Sequence, residues 1–386
     1  MFRISRLQSL LQLVPWGAFD RSVRQHRSDR HCKGFDSRDH LVSMLFAQLS
    51  DVHSLRELEL RFNQHHRQRY HLGVDPIRRS TLAEANARRN PHVFAALAQS
   101  LMNMAGRGLR REREFMLYLL DSTSIVLAGR GFEWTARSAT RTPGVKLHLL
   151  YEAGGCHPVH HSITAANVND VGEGAKIPIQ PGATYVFDKG YCDYGWWSRI
   201  SAAGARWVTR PKSNAALRPM EHRPIDAADA GEILSDDIMR FAHASNRGGH
   251  RNPYTSPVRR IEVARPGKTA LVLLTNDLAS PASEISRLYK DRWQIELFFK
   301  WIKQHLQVKR FLGRSENAVH IQLLVALIAY LLVLLYKARH GLSATRWAVL
   351  AELRGGLMHP VEPSHSAYKQ RKRQRAEAAA AQGVLL

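Results

Sequence analysis

Cysteine is scarce in this sequence. Only three occur in 386 residues, Cys32, Cys156 and Cys192, and no two have the C-x-x-C spacing. An odd number of cysteines without paired spacing predicts neither a disulfide framework nor a zinc ribbon. The composition therefore fits a reducing cytoplasm.

Long hydrophobic runs are also missing. The longest, Ile321 to Tyr336, has 16 residues, whereas a helix needs about 20 apolar residues to span a bilayer. We interpret this run as a buried core helix. The N-terminal segment MFRISRLQSLLQLV interleaves glutamines with its apolar residues, unlike the unbroken apolar core of a signal peptide. The sequence thus predicts a cytoplasmic location and no membrane partner.

Acidic residues are too few to balance the basic ones. Fifty-six Lys and Arg stand against 33 Asp and Glu, which gives a formal net charge of +23. Such an excess is costly in self-repulsion unless a polyanion neutralises it, so nucleic acid is the first partner to consider. A basic protein without a polyanionic partner and a protein bound to an acidic membrane surface are weaker alternatives.

The chain divides into five segments. Residues 1–112 have helical periodicity with interleaved Arg and His, and predict a helical basic DNA-binding domain. Short apolar runs separated by Gly and Pro predict an α/β core with a mixed sheet at 113–211, followed by a β-rich insertion at 212–280. The core resumes at 281–345, and 346–386 is a C-terminal helix with a basic tail.

One short helix in the N-terminal segment is a candidate for phosphate contact. Thr81 and Glu84 have capping-box spacing, and Pro91 ends the helix just after Arg88 and Arg89. Paired arginines at a helix end can bind DNA phosphates, although a solvated helix end explains them equally well.

Three carboxylates follow or flank the predicted sheet. The apolar run FMLYLLD ends at Asp121, ATYVFD ends at Asp188, and Glu296 lies on a later helix. Ligands of α/β sheets collect at strand ends, so the topology could bring the three together. Converging carboxylates require a cation, and their hard oxygens suit a pair of Mg²⁺ or Mn²⁺ ions that can activate water at a phosphodiester. Taken singly, each aspartate is more simply a turn residue.

The segment YKDRWQIELFFKWIKQHL, residues 289–306, predicts one helix with a polar stripe. Tyr289, Arg292, Glu296 and Lys303 fall at offsets of 0, 3, 7 and 14, which a helix places on one face. An ion-pair ladder in solvent would have the same pattern.

These motifs together resemble one family. The strings LLDSTSI, FDKGYCDY and Y-x-x-R-x-x-x-E-x-x-x-x-x-x-K are similar to the three acidic motifs of DDE transposases in the IS-four family of bacterial insertion sequences. The resemblance spans essentially the whole chain. It implies a ribonuclease H-like catalytic core, interrupted by β structure and preceded by a helical domain.

The resemblance also implies a function. Asp121, Asp188 and Glu296 would be the catalytic metal ligands, while Tyr289, Arg292 and Lys303 would contact the backbone of the cleaved transposon end. The cofactor would be Mg²⁺, with two ions bound and Mn²⁺ as a substitute. The partners would be double-stranded DNA, as terminal inverted repeats and target, and a second copy of the chain in a homodimer on paired ends. A ribonuclease H-like nuclease without strand transfer and a catalytically silent DNA-binding protein are the alternatives.

Other motifs favour structural roles. Cys156, His157, His160 and His161 resemble a metal-ligand group, but successive side chains of a strand point to opposite faces, which disfavours zinc. The tryptophans at 196, 197 and 207 are interpreted as packing residues, and Tyr254 is a weak candidate for stacking on a flipped base.

Overall fold

The computed structural model of the protein describes residues 4–109, 116–127, 129–136, 143–242 and 252–360. All predicted site residues lie within these ranges. The basic tail predicted near the C-terminus lies outside the described residues.

The first segment is helical, as its periodicity predicts. Its helices are α1 (Arg6–Leu11), α2 (Trp16–Gln25), α3 (Ser37–Leu49), α4 (Leu55–Asn63), α5 (His66–Leu72), α6 (Arg79–Arg88) and α7 (His92–Gly108). A reciprocal capping box of Asp36 and Asp39 begins α3. The capping box predicted at Thr81 and Glu84 is wrong, because α6 already begins at Arg79 and encloses Thr81 in its first turn.

The rest of the chain builds one mixed sheet. Its strands are β1 (Leu117–Val126), β2 (Gly144–Glu152), β3 (His157–Ala165), β4 (Thr184–Phe187), β5 (Arg206–Thr209), β6 (Leu217–His222), β7 (Ile233–Phe241), β8 (Val258–Val263) and β9 (Leu271–Thr275). Across the described residues the strand order is β3-β2-β1-β4-β5-β9-β8-β7-β6. The β1–β4 and β4–β5 pairs are parallel and the others antiparallel. The strands of the predicted insertion therefore extend the same sheet.

Six helices accompany the sheet in the described part of the chain. They are α8 (Asp170–Gly174), α9 (Tyr194–Ala202), α10 (Ala282–Asp291), α11 (Trp293–His305), α12 (Glu316–Arg339) and α13 (Arg346–Gly355). The predicted single helix over 289–306 is wrong in one respect, because the helix is interrupted at Arg292, which lies between α10 and α11 and caps both. Tyr289 therefore lies on α10, Glu296 and Lys303 lie on α11, and Arg292 lies at the junction of the two helices.

The apolar helix α12 lies at the centre of the protein. By length and composition it could cross a membrane, but 89% of its most apolar window is buried inside the protein. It packs against α3, α6 and α7 of the N-terminal segment. The N-terminal helices, α11, α12 and one face of the sheet share a single hydrophobic cluster. The other face packs on α9. Trp196 and Trp197 of α9 and Trp207 of β5 are buried there, as predicted.

A buried histidine makes the helical layer sensitive to acid. His40 of α3 is fully buried, and its Nε2 lies 2.7 Å from Oδ1 of Asn86. Burial, aided by the charge of Arg89, lowers the pKa of His40 to about 3. Because this pKa lies below that of the unfolded chain, the unfolded state binds more protons as pH falls from 6.5 towards 3, and stability is lost over that window.

We therefore expect acidification from pH 7 to pH 5 to cost about 2 kcal/mol of unfolding free energy through His40. Urea unfolding at both pH values should show a smaller loss in His40→Gln than in the wild type. Equal losses in the two proteins would contradict the prediction.

Candidate active site

Asp121 and Asp188 stand side by side on the sheet. Leu120 of β1 and Phe187 of β4 are register partners in a parallel pair, and each aspartate is the next residue of its chain. Equal steps beyond a register pair put both side chains on the same face of the sheet. Strands Leu117–Val126 and Thr184–Phe187 thus bring together two residues that are far apart in sequence.

The helix junction supplies the third carboxylate and an arginine. Arg292 Nη1 donates to Asp121 Oδ2 at 3.3 Å, and its Nη2 donates to Glu296 Oε1. The guanidinium therefore bridges two of the predicted ligands. Buried Ile295, Phe298, Phe299 and Ile302 anchor α11 on the core, so Glu296 is held on the side of the helix that faces β1.

The other two residues of the motif lie at the border of this group. Tyr289 is 8% exposed, and the Arg292 guanidinium lies 5.7 Å from the centre of its ring. Lys303 Nζ donates to the carbonyl of Ser124 at 3.2 Å, three residues beyond Asp121 on β1. Burial raises the pKa of the Tyr289 phenol, which stays a neutral donor, and lowers the pKa of Lys303.

The electrostatics of the two aspartates indicate a need for positive charge. Burial raises the pKa of Asp121 to about 6, despite hydrogen bonds from the Ser122 backbone and Arg292. Asp188 Oδ1 is buried with no hydrogen-bond partner among the described residues. A buried carboxylate oxygen without a partner is costly unless a cation satisfies it. The carboxylate donor set suits a hard divalent metal, so Asp121, Asp188 and Glu296 fit one.

The carboxylates do not yet converge as ligands. Within the described ranges, no three His, Cys, Asp or Glu side chains form a group ready to hold a metal ion. Asp121 and Glu296 are instead ion-paired with the guanidinium of Arg292.

The paired arginines at the C-terminal end of α6 have different environments. Arg88 is exposed and pairs with Glu84 at 2.8 Å. Arg89 is 7% exposed, and its guanidinium donates to the Phe35 carbonyl inside the helical layer. The buried guanidinium of Arg89 is out of reach of a phosphate, which disfavours the predicted DNA contact of this residue.

One acidic residue beside the site was not predicted. Asp170 begins α8 and accepts a hydrogen bond from Ser122, the residue next to Asp121. Its segment, residues 167–170, connects β3 to α8 and carries no motif of its own. The signal available was an Asn–Asp pair at the start of a short helix, which is too common to single out.

A strongly basic α/β protein with two aspartates just beyond a parallel strand pairing, beside an arginine–glutamate pair, is suited to phosphoryl transfer on nucleic acid. The profile of the Transposase DDE domain family matches residues 113–332, more than half of the chain, and the chain belongs to that family. Residues 3–75 match a Domain of unknown function (DUF4372).

Individual relatives agree with this family. A candidate transposase of Sinorhizobium fredii (strain NGR234), y4zB, is 47% identical over 254 residues, which cover 65% of this chain and 69% of that protein. The transposase InsG for insertion sequence element IS4 of Escherichia coli K12 is 38% identical over 154 residues, covering 38% of this chain and 33% of InsG. The predicted resemblance to the IS-four family is confirmed.

Among solved structures, the cryo-EM structure of the piggyBac transposase synaptic complex with hairpin DNA aligns with 90% of this chain and 77% of that one. Its TM-score is 0.46 at 11% sequence identity. By its family, the chain is a DDE transposase, an enzyme of DNA transposition that binds DNA and depends on a divalent metal.

Proposed function

We propose that this transposase binds the terminal inverted repeats of its own element, cleaves them by hydrolysis, and joins the freed 3′ ends to target DNA. The observation that carries the proposal is the contact of Arg292 with both Asp121 and Glu296, on the face of the sheet that also bears Asp188. Carboxylates and a phosphate-binding cation are thereby concentrated at one point of a protein of charge +23.

Asp121, Asp188 and Glu296 are the residues that would hold the metal, as two Mg²⁺ ions for which Mn²⁺ can substitute. When bound, the metal would lower the pKa of the attacking water or 3′ hydroxyl and offset negative charge on the phosphate. Two observations support this assignment: Asp188 Oδ1 has no hydrogen-bond partner among the described residues, and burial raises the pKa of Asp121. A bound cation would give the first a partner and stabilise the ionised form of the second.

Arg292 is proposed to exchange partners when DNA binds. In the protein alone its guanidinium offsets the charge of Asp121 and Glu296. A phosphate offers the same planar, bidentate acceptor as a carboxylate, so the guanidinium can move to the backbone of the cleaved end and release both carboxylates. Lys303 then adds a positive charge next to β1. The ring of Tyr289 packs against the guanidinium, and its hydroxyl would donate a hydrogen bond to the backbone of the cleaved end.

The remaining assignments follow the same proposal. The core at 113–211 and 281–345 would be ribonuclease H-like, with the β-rich insertion at 212–280 and the C-terminal helix and tail at 346–386. The segment 1–112 would bind the transposon end, with exposed Arg88 as one phosphate contact. Cleavage of paired ends would take place in a homodimer, in the cytoplasm.

A direct test uses the full-length protein and duplexes taken from the DNA that flanks its reading frame. Mg²⁺-dependent nicking of these ends, followed by joining of precut ends to a plasmid, is the expected result. Nicking without joining would indicate a nuclease, and binding without nicking would indicate a silent DNA-binding protein. A scrambled duplex of equal length is the control for end recognition.

A further inference from the structure

The face of the sheet turned away from α11 carries a second polar group directly beneath the active site. In the antiparallel β1–β2 pair, Ser122 is the register partner of His148, and Ser124 is the partner of Lys146. Ser122 adjoins Asp121 in sequence, and adjacent residues of a strand project from opposite faces. Ser122 and Asp121 are therefore two sides of the same point on β1.

Asp170 of α8 collects the polar groups of this second face. Its Oδ1 accepts hydrogen bonds from Ser122 Oγ at 2.9 Å and from Lys146 Nζ at 3.2 Å, and lies 3.4 Å from His148 Nδ1. Lys146 is fixed further by a 2.9 Å hydrogen bond from its Nζ to the Val168 carbonyl. The carboxylate is thus charge-paired and held to both β1 and β2.

The other oxygen of Asp170 faces the second aspartate-bearing strand. A Cβ atom placed on Gly190 would lie 3.6 Å from Asp170 Oδ2. Gly190 belongs to the short turn Lys189–Tyr191 that directly follows Asp188. The Asp170 side chain therefore binds the residue after Asp121, and its helix α8 lies beside the turn after Asp188.

We propose that Asp170 is a positioning residue of the transposase, which fixes the relative placement of Asp121 and Asp188 because it binds Ser122 on one strand while its helix α8 lies beside the turn that follows Asp188 on the other. The inference rests on the proposed function of the two aspartates as metal ligands. Groups that orient such ligands from behind are commonly worth 10- to 100-fold in metal affinity or activity. The proposal gives Asp170 that role without contact with the DNA.

Asp170→Asn is the main test, since it keeps the shape of the side chain and removes its charge. We expect it to lower the single-turnover nicking rate at saturating end duplex by about 10- to 100-fold and to raise the half-saturating Mn²⁺ concentration by a similar factor. Affinity for the end duplex should stay at the wild-type value. Mn²⁺ binding to the protein alone, measured by electron paramagnetic resonance, should weaken in parallel.

Two further variants separate positioning from folding. Glu173→Gln changes a carboxylate on the same helix whose partners are Ser162 and Lys176, so it should match the wild type in rate and in Mn²⁺ affinity. Ser122→Ala removes the hydroxyl through which Asp170 acts on β1. If the inference holds, Asp170→Asn should cost less in the Ser122→Ala background than in the wild type.

Several outcomes would overturn the inference: wild-type Mn²⁺ binding in Asp170→Asn, a lower rate without a shift in half-saturation, or equal costs in both backgrounds. Failure of the proposed function has a different signature, in which the wild type itself does not nick, or Asp121→Asn nicks normally. Where the wild type binds Mn²⁺ but does not nick, the resonance measurement still decides on Asp170, because it needs no turnover.

Discussion

Asp188→Asn is expected to lower metal-dependent nicking by at least about 10³-fold, equivalent to about 4 kcal/mol of transition-state stabilisation, because a metal ligand is lost. Binding of the end duplex should persist, since the proposed phosphate contacts lie on other residues. The fold should also persist, because Asp188 Oδ1 is buried without a partner among the described residues, and the substitution removes a buried charge.

The measurement compares nicking rates, gel-shift affinities and thermal midpoints of the wild type with those of Asp188→Asn. Asp226→Asn removes an exposed carboxylate from the predicted insertion and should behave as the wild type. A folded Asp188→Asn protein that nicks normally in Mg²⁺ would remove the basis of the proposed mechanism.

Asp188→Cys gives the same test a positive result. A thiolate is a poor ligand for Mg²⁺ and a more tolerable one for Mn²⁺. Partial nicking in Mn²⁺, with none in Mg²⁺, would indicate direct contact between this side chain and the metal. Equal inactivity with both ions would leave the Asn variant as the deciding measurement.

The placement of the two aspartates was predictable because it depends on local pattern. An apolar run that ends in an acidic residue is a buried strand followed by its edge, and parallel strands bring such edges together. Asp188 directly follows β4 as this pattern predicts. The expectation that Asp121 also ends its strand is wrong, because β1 continues to Val126 by pairing with β2. The apolar side of α11 was equally evident from its spacing, and Ile295, Phe298 and Ile302 are buried as the pattern requires.

What could not be predicted depends on contacts between distant segments. Arg88 and Arg89 are indistinguishable in the sequence. Only Arg89 is buried, where it donates a hydrogen bond to the carbonyl of Phe35, more than fifty residues away, while Arg88 stays exposed beside Glu84. The contact of Asp170 with Ser122 likewise depends on the path of the segment between β3 and β4. Local periodicity carries no information about either contact.

The relation between the helical segment and the core also depends on tertiary structure. The sequence presents residues 1–112 as a separate unit, but α12 packs against α3, α6 and α7 within one hydrophobic cluster. The strong apolarity of α12 predicts that it is buried, and does not say which helices bury it. Removing the first segment would expose this helix, so binding experiments call for the full chain.

The second large effect is expected at Arg292. Arg292→Ala should weaken binding of precut end duplexes by about 10- to 150-fold, because it removes a charge-assisted, bidentate contact worth about 1.5–3 kcal/mol. It also leaves Asp121 and Glu296 without the guanidinium that bridges them. Arg292→Lys keeps the charge but loses the fork, and should fall between Arg292→Ala and the wild type.

Arg287→Ala is the matched control, because Arg287 lies on the exposed side of α10, just before the buried Tyr289. Fluorescence anisotropy of labelled precut ends, with EDTA and with Mg²⁺, would give the affinities. If Arg292 exchanges carboxylates for phosphate, the loss in Arg292→Ala should be larger in EDTA, where the exposed carboxylates repel DNA, than in Mg²⁺, where cations offset them. Wild-type affinity in both conditions would show that the guanidinium stays with Asp121 and Glu296, and that another residue binds the cleaved end.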